Sequence, residues 1–297
     1  MSLLLETPHL AIATSLEAAL EWRRSHPEAT VLAGGTERMG DQALEHFRPQ
    51  GYLHIGRIPA LQEIHIHDDH LHLGAAATLE RLCRPDVVAA LPMLAQVAAS
   101  IGTPQARRRG TVGGNLAGGL PDRSLAPALL ALGCEVVLQA AERSERRLPL
   151  ETFLQGRGLT ALAGDELLTG LRVRRQRGPQ HFSLVGPRGA LVYPTVATAL
   201  VVDPQQRQVA LGIGNAAPTA IRAREAERWI AAAIDWPQRR LPAGAAETFG
   251  QQAAAACSPI DDVQASAAYR RHAVAVMARR LLEQAFAAPL PSPSHEP

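Results

Sequence analysis

The chain is 297 residues long, 46% hydrophobic and 20% charged, with a formal net charge of +2. That length can hold two domains or one large one and bury a substantial core, while the charge is too small for the electrostatic footprint of a binder of nucleic acid or of an anionic membrane. Aromatic residues make up only 4% of the chain, which suits close helix packing and not base stacking. No apolar run approaches the roughly 20 residues that span a bilayer. MSLLLETPHL lacks the basic n-region and apolar h-region of a secretory signal, so a cytoplasmic protein is expected. Cys83, Cys134 and Cys257 stand alone. Without C-x-x-C spacing they encode neither a disulfide framework nor an iron–sulfur cluster, and any metal centre that exchanges electrons with this chain lies elsewhere.

In chain order, Ser15 predicts an N-cap, with Leu16, Ala19, Leu20 and Arg23 at helical spacing before a stop at Pro27. Ala29 to Ala33 reads as a strand running straight into Gly34, Gly35 and Thr36. IHIHDDHLHL alternates strictly on both sides of Asp68-Asp69, which predicts a two-residue hairpin with Ile64, Ile66, Leu71 and Leu73 on one face. His65 then faces His72, and His67 faces His70. Four imidazoles on one face could hold a transition metal, but any half-exposed hairpin shows the same alternation. Pro92 to Ile101 continues as a helix, apolar at Leu94, Val97, Ala98 and Ile101, and Gly102 ends it.

The stretch from Arg107 to Pro127, RRRGTVGGNLAGGLPDRSLAP, organises the rest. Its glycines (Gly110, Gly113, Gly114, Gly118 and Gly119) sit among small and polar residues before a helical pattern reaching Leu132, so the backbone can approach a ligand closely. Unshielded amides beside a helix start make an anion cradle; a glycine-rich surface turn is the plainer alternative. The upstream Gly34-Gly35-Thr36 supplies a second such segment, and two segments suit the adjacent phosphates of a dinucleotide. Arg107, Arg108 and Arg109 read either as a solvated basic turn or as charge support for those phosphates.

AGGTE, then RGTVGGN, then ALLALG resembles the FAD-binding subunit of the multi-subunit molybdenum hydroxylases, the xanthine dehydrogenase and carbon monoxide dehydrogenase class. The resemblance covers nearly the whole chain. It implies an α+β fold: a two-lobed PCMH/VAO-type FAD-binding domain over 1–176, with lobes at about 1–57 and 58–176, and a smaller sheet-plus-helices C-terminal domain over 177–287. A Pro- and Ser-rich tail, 288–297, is then expected to be disordered or to lie along a partner. The same resemblance implies FAD on this chain, molybdopterin on a large partner subunit and [2Fe–2S] on a small one, in a heterotrimer or a dimer of heterotrimers.

Carried over residue by residue, the first segment (Leu32, Ala33, Gly34, Gly35, Thr36 and Glu37) places amides on the pyrophosphate. The second (Thr111, Val112, Gly113, Gly114 and Asn115) meets the ribityl chain and flavin ring. Gly74 and Thr78 match a GA-x-x-T element that starts a helix. Glu37 departs from relatives, which often carry Asp or a small polar residue there, and a carboxylate beside phosphates is repulsive unless it turns away. Relatives also carry Asp three residues after the loop proline, where this chain has Ser124; Asp122 either substitutes for it or caps the following helix. Leu167 or Leu168 either packs on the cofactor or sits in the core.

Cys134 to Ala140 and Glu166 to Val173 read as strands, separated by a helical turn at Glu151 to Leu154. From about Phe182 the pattern changes to that of the C-terminal domain. Relatives often have an acid where this chain has Val192, so no role carries over to it. The strand Gln208 to Ile213 ends in a G-x-G-x-x-A match, Gly212 to Ala217. It serves a stand-alone nicotinamide-dependent reductase only inside a parallel sheet of repeated βαβ units; a strand-to-helix turn is the other reading. Val263, Ala267, Arg270, Val274, Met277, Leu281 and Ala285 predict a closing amphipathic helix with a solvated basic face. The resemblance implies an electron-transfer oxidoreductase subunit, in which FAD collects electrons from the partner's [2Fe–2S] centre and passes them to NAD, a quinone, oxygen or another acceptor; such a subunit needs no nucleophile or acid–base pair, and none stands out. A scaffold that has lost flavin competes with it, on the changes at Glu37 and Ser124.

Overall fold

The computed structural model describes residues 9–39, 49–187 and 193–287, arranged around three main sheets. In the first, Gly51–His54 lies between His9–Ile12 and Thr30–Leu32, parallel to both. Parallel strands need a crossover, and the helix Leu16–Ser25 provides one. Ser15 caps it as expected, its hydroxyl accepting the Ala18 amide at 3.2 Å. Ala19 and Leu20 turn inward and close a small core with Leu53, Ile55 and Ile58.

The second sheet is antiparallel, in the order Ile64–Ile66, His70–Gly74, Leu167–Arg174, Glu135–Ala140, Arg143–Pro149. The hairpin has the expected register, with His65 opposite His72 and Ile64 opposite Leu73. Leu71 and Leu73 are fully buried, each contributing about 1.5–3 kcal/mol. On the other face His65 meets Glu63 at 2.8 Å, His70 meets Asp69 at 2.6 Å, and His67 stacks on His70. Among the described residues no three His, Cys, Asp or Glu side chains converge on a metal position.

Arg143–Pro149 is a strand that the sequence reading lacks. RSERRLP has no apolar alternation because this is an exposed edge strand, held by backbone pairing and by Arg146, which donates to both oxygens of buried Glu166 at 2.6 and 2.7 Å. Arg146 foremost, with the Ala163 amide helping against burial, holds the Glu166 carboxyl below the usual range. A folded pKa below the unfolded one stabilises fully above the unfolded value, about 4.3, and is lost as pH falls through the folded value. Glu166→Gln is therefore expected to make the fall of Tm below about pH 4.5 shallower; an unchanged acid limb in thermal melts would contradict this.

The third sheet, in the order Gln180–Val185, Val196–Asp203, Gln208–Gly214, Ile221–Arg222, is antiparallel throughout. That removes the Rossmann reading of Gly212 to Ala217, which needs parallel strands. Val196–Asp203 is covered on both faces, which explains its unbroken apolar run. Val196, Leu200 and Val202 pack with the helices Arg224–Ala233, Ala245–Ala255 and Ala267–Ala287, while Ala199 and Val201 join the core of the second sheet. The motif's glycines serve this docking. A Cβ on Gly212 would overlap the Pro127 carbonyl oxygen, and one on Gly214 would lie 3.1 Å from the Pro127 ring.

The closing helix begins at Ala267, so Val263 precedes it and is fully exposed. Arg270 is not part of a solvated face: it is 2% exposed. Residues 1–8, Val192 and the tail 288–297 lie outside the described residues. Among those described, no helix is long and apolar enough to cross a membrane.

Candidate functional site

The two glycine segments, some seventy positions apart in sequence, are pressed together in space. A Cβ on Gly34 would overlap the carbonyl oxygen of Arg109, so only glycine lets the segments touch. Backbone bonds fix the second segment: Leu79 N–H donates to Gly110 O (2.9 Å), Val112 N–H to Ala77 O (2.9 Å) and Gly113 N–H to Ala75 O (2.8 Å). Gly113 has no room for a Cβ, which would sit 2.7 Å from that of Ala75. The segment is helical, not a loop, over Val112–Ala117, with the Thr111 hydroxyl accepting the Gly114 amide at 3.1 Å as its N-cap.

Along this junction runs a cleft of about 490 Å³, within the range of small-molecule sites. The amides of Gly34, Gly35 and Thr36 line it and donate to no group among the described residues. Gly35 holds φ at +69°, a left-handed conformation that re-aims its amide and favours glycine. From the second segment, Asn115 Oδ1 and Asp122 Oδ1 are buried in the same cleft without a hydrogen-bond partner. Donors and acceptors left without partners in one cleft mark a ligand site, since buried polar groups are normally paired. Among the described residues on its walls, Arg23, Arg38 and Arg123 outnumber Glu37 and Asp122, a balance that suits an anion.

Arg123, which the sequence reading did not single out, is the pivot of the far wall. Its side chain is 6% exposed and pairs with Glu37, bridging the first segment to the second. Burial works against its charge, but Glu37 and Asp122 outweigh that and hold its pKa above the ordinary value. This pairing also answers the concern about Glu37, whose carboxylate is neutralised by Arg123. The guanidinium lies over the Tyr193 ring at 4.4 Å from its centroid, and Tyr193 lines the cleft. Asn215 holds this wall in place, its amide donating to Pro121 O at 2.8 Å and its side chain to Pro194 O at 2.7 Å. Arg270 in turn donates to Asn215 O and Thr195 O. A lone arginine beside Asp122 carries no sequence signal of this kind, because the pairing spans 86 positions.

Of the expected site residues, Leu32, Ala33, Gly34, Gly35, Thr36, Glu37, Thr111, Gly114, Asn115, Asp122 and Ser124 line the cleft. Val112 and Gly113 lie behind it, packed into the core and against Ala75. Leu168 does not reach it: it belongs to the core of the second sheet, and Leu162 takes a place on the cleft wall. Asp122 does not cap the helix Leu125–Ala131, whose N-cap position is Ser124 without a side-chain bond. Arg107 to Arg109 end a helix, Pro104–Arg109, instead of forming a turn; Arg107 holds the carbonyls of Ile101 and Gly102 and Arg108 pairs with Glu80.

The cleft between the two glycine segments suits an extended anionic ligand, and a third sheet docks against the second. Residues 7–174 match the family described as the FAD binding domain in molybdopterin dehydrogenase, and residues 185–285 match the CO dehydrogenase flavoprotein C-terminal domain. The chain belongs to that family and is an FAD-binding oxidoreductase subunit of the molybdenum hydroxylase type. The nicotine 6-hydroxylase medium subunit of Paenarthrobacter nicotinovorans is 28% identical over 93% of this chain and 96% of its own length. The carbon monoxide dehydrogenase medium chain of Hydrogenophaga pseudoflava is 30% identical over 88% and 90%. A chain of reconstituted CO dehydrogenase from Oligotropha carboxidovorans superposes with a TM-score of 0.84 at 26% identity, over 95% of this chain and 98% of that one.

Proposed function

We propose that this chain is the electron-transfer subunit of a multi-subunit molybdenum hydroxylase, placed between a partner's [2Fe–2S] subunit and an acceptor such as NAD, a quinone or oxygen. The observation that carries the reading is the cleft itself, lined by Gly34, Gly35 and Thr36, whose amides donate to no group among the described residues, and by Asn115 and Asp122, each with a buried oxygen that accepts no hydrogen bond there. The amides of Gly34, Gly35 and Thr36 take the diphosphate, with Leu32 and Ala33 leading into them. Thr111, Gly114 and Asn115 meet the ribityl chain and ring, and Asp122 and Ser124 complete that end. Val112 and Gly113 position these groups from behind. Glu37 acts through Arg123, and Leu168 supports the sheet. FAD, when bound, supplies the exchange between single electrons and electron pairs. The protein's share is to bind it, orient it and fix the charge around it.

The two family matches support an FAD-binding domain over 1–176, with lobes at about 1–57 and 58–176, and a C-terminal domain over 177–287. The words medium subunit and medium chain in the relatives' names support a large molybdopterin-binding partner and a small [2Fe–2S] partner, in a heterotrimer or its dimer. Three free cysteines suit the reducing cytoplasm. Affinity purification of the tagged chain from its own cells is expected to bring down both partners. A chain that purifies alone and oxidises NADH would make it a self-sufficient reductase, and one that purifies alone and colourless would make it a scaffold.

A further inference from the structure

Behind the first glycine segment lies a second crevice, of about 340 Å³, which shares Ala33, Gly34 and Thr111 with the cofactor cleft. Its chemistry is different. Arg57, Arg81, Arg108 and Arg109 line it together with His54, and no carboxylate among the described residues does. Arg81 donates to the Gln62 carbonyl, and Arg108 pairs at 2.9 Å with Glu80, which stands outside the crevice. The side chains of Arg57 and Arg109 have neither an ion-pair nor a hydrogen-bond partner among the described residues. His54 Nδ1 is buried without a partner, and burial first, then Arg57 and Arg109, hold its pKa below the ordinary value. The positive charge of the crevice therefore belongs to the guanidinium groups and persists at every physiological pH.

A concave surface lined by one sign of charge concentrates counter-ions, and guanidinium forks match the oxygens of phosphate in paired hydrogen bonds. The geometry points to a binding site for the phosphate or diphosphate group of a nucleotide-sized ligand, separate from the flavin cleft. The crevice volume falls within the usual range for small ligands, about 300–1,000 Å³. The two spaces meet at Gly34, whose backbone is pressed against the Arg109 carbonyl, and the proposal has both filled at once. The site does not depend on the flavin assignment, because none of its charged residues lines the larger cleft.

The test is calorimetric titration of the full chain with pyrophosphate and with ADP at constant ionic strength, once saturated with FAD and once without added FAD. Saturable binding is expected in both preparations. In Arg57→Gln/Arg109→Gln it weakens by about tenfold or more, the loss expected for a charge-assisted hydrogen bond. Arg143→Gln, on the distant edge strand, leaves it unchanged. Both crevice arginines are exposed, and a thermal melt checks that the double variant folds; Arg57→Gln alone is the milder second variant. Binding that FAD abolishes would place the anion in the cofactor cleft and overturn the proposal. So would binding indifferent to both substitutions, or no saturable binding at all. A crevice that ignores phosphate but is covered when partner subunits assemble would belong to a partner's carboxylates, which also overturns it.

Discussion

Gly34→Ala is expected to abolish FAD retention while leaving the chain folded. Its backbone is not in the left-handed region, so alanine is allowed there locally. The added Cβ instead overlaps the Arg109 carbonyl and forces the two segments apart, at a cost of about 1–3 kcal/mol of overpacking. Separation also pulls the amides of Gly34 to Thr36 away from the wall carrying Thr111, Gly114 and Asn115. Losing two charge-assisted hydrogen bonds, at about 1.5–3 kcal/mol each, weakens affinity by about a hundredfold or more. Gly35→Ala tests a different cause. It strains a left-handed residue by about 1–2 kcal/mol, and its Cβ meets only the Met39 side chain, at 3.2 Å, so a smaller loss is expected. Fluorescence titration with FAD, beside circular dichroism for folding, separates the two. A Gly34→Ala chain that binds FAD within about threefold of the native one would contradict the role given to the contact.

Arg270→Met is expected to cost about 2–4 kcal/mol of stability, because it leaves two buried carbonyls without a donor at about 1–3 kcal/mol each. Arg270 donates both Nη2 bonds to Asp262, at 2.7 Å each, and Nη1 to the carbonyls of Thr195 and Asn215 at 3.0 and 2.8 Å. Methionine fills much of the space but leaves these acceptors without a donor. Because Asn215 ties Pro121 to Pro194, the loss also loosens the wall that holds Arg123 and Tyr193, and flavin release should accompany the drop in stability. Urea unfolding measures the first effect and flavin fluorescence the second. A cost below about 1 kcal/mol would mean that Arg270 is merely a surface pair.

The local parts of the fold were legible because their causes are local. The Ser15 cap, the register of the histidine hairpin and the strand entering Gly34 each follow from residues within a few positions of one another. The first glycine segment and Asn115 were legible through their motifs, and the structure places them on one cleft. What escaped the sequence was decided at long range. Arg123 gained its place from Glu37 and Tyr193, and Arg270 from Thr195, Asn215 and Asp262. Arg270 reads as a basic helix residue until the partners that neutralise it are known. The Gly212 to Ala217 motif misleads for the same reason: close backbone approach is what its glycines provide, and here the approaching group is Pro127 and not a nucleotide. The edge strand Arg143–Pro149 lacked a signal because its neighbour, and not its own side chains, holds it.

Whether the cleft between the two glycine segments holds FAD is read from an absorption spectrum. The purified chain is scanned through the flavin region, and the supernatant is scanned again after heat denaturation. Flavin bands are expected in the native sample and released, stoichiometric FAD in the supernatant, both missing from Gly34→Ala. A chain that is colourless and stays so after incubation with excess FAD would contradict that expectation.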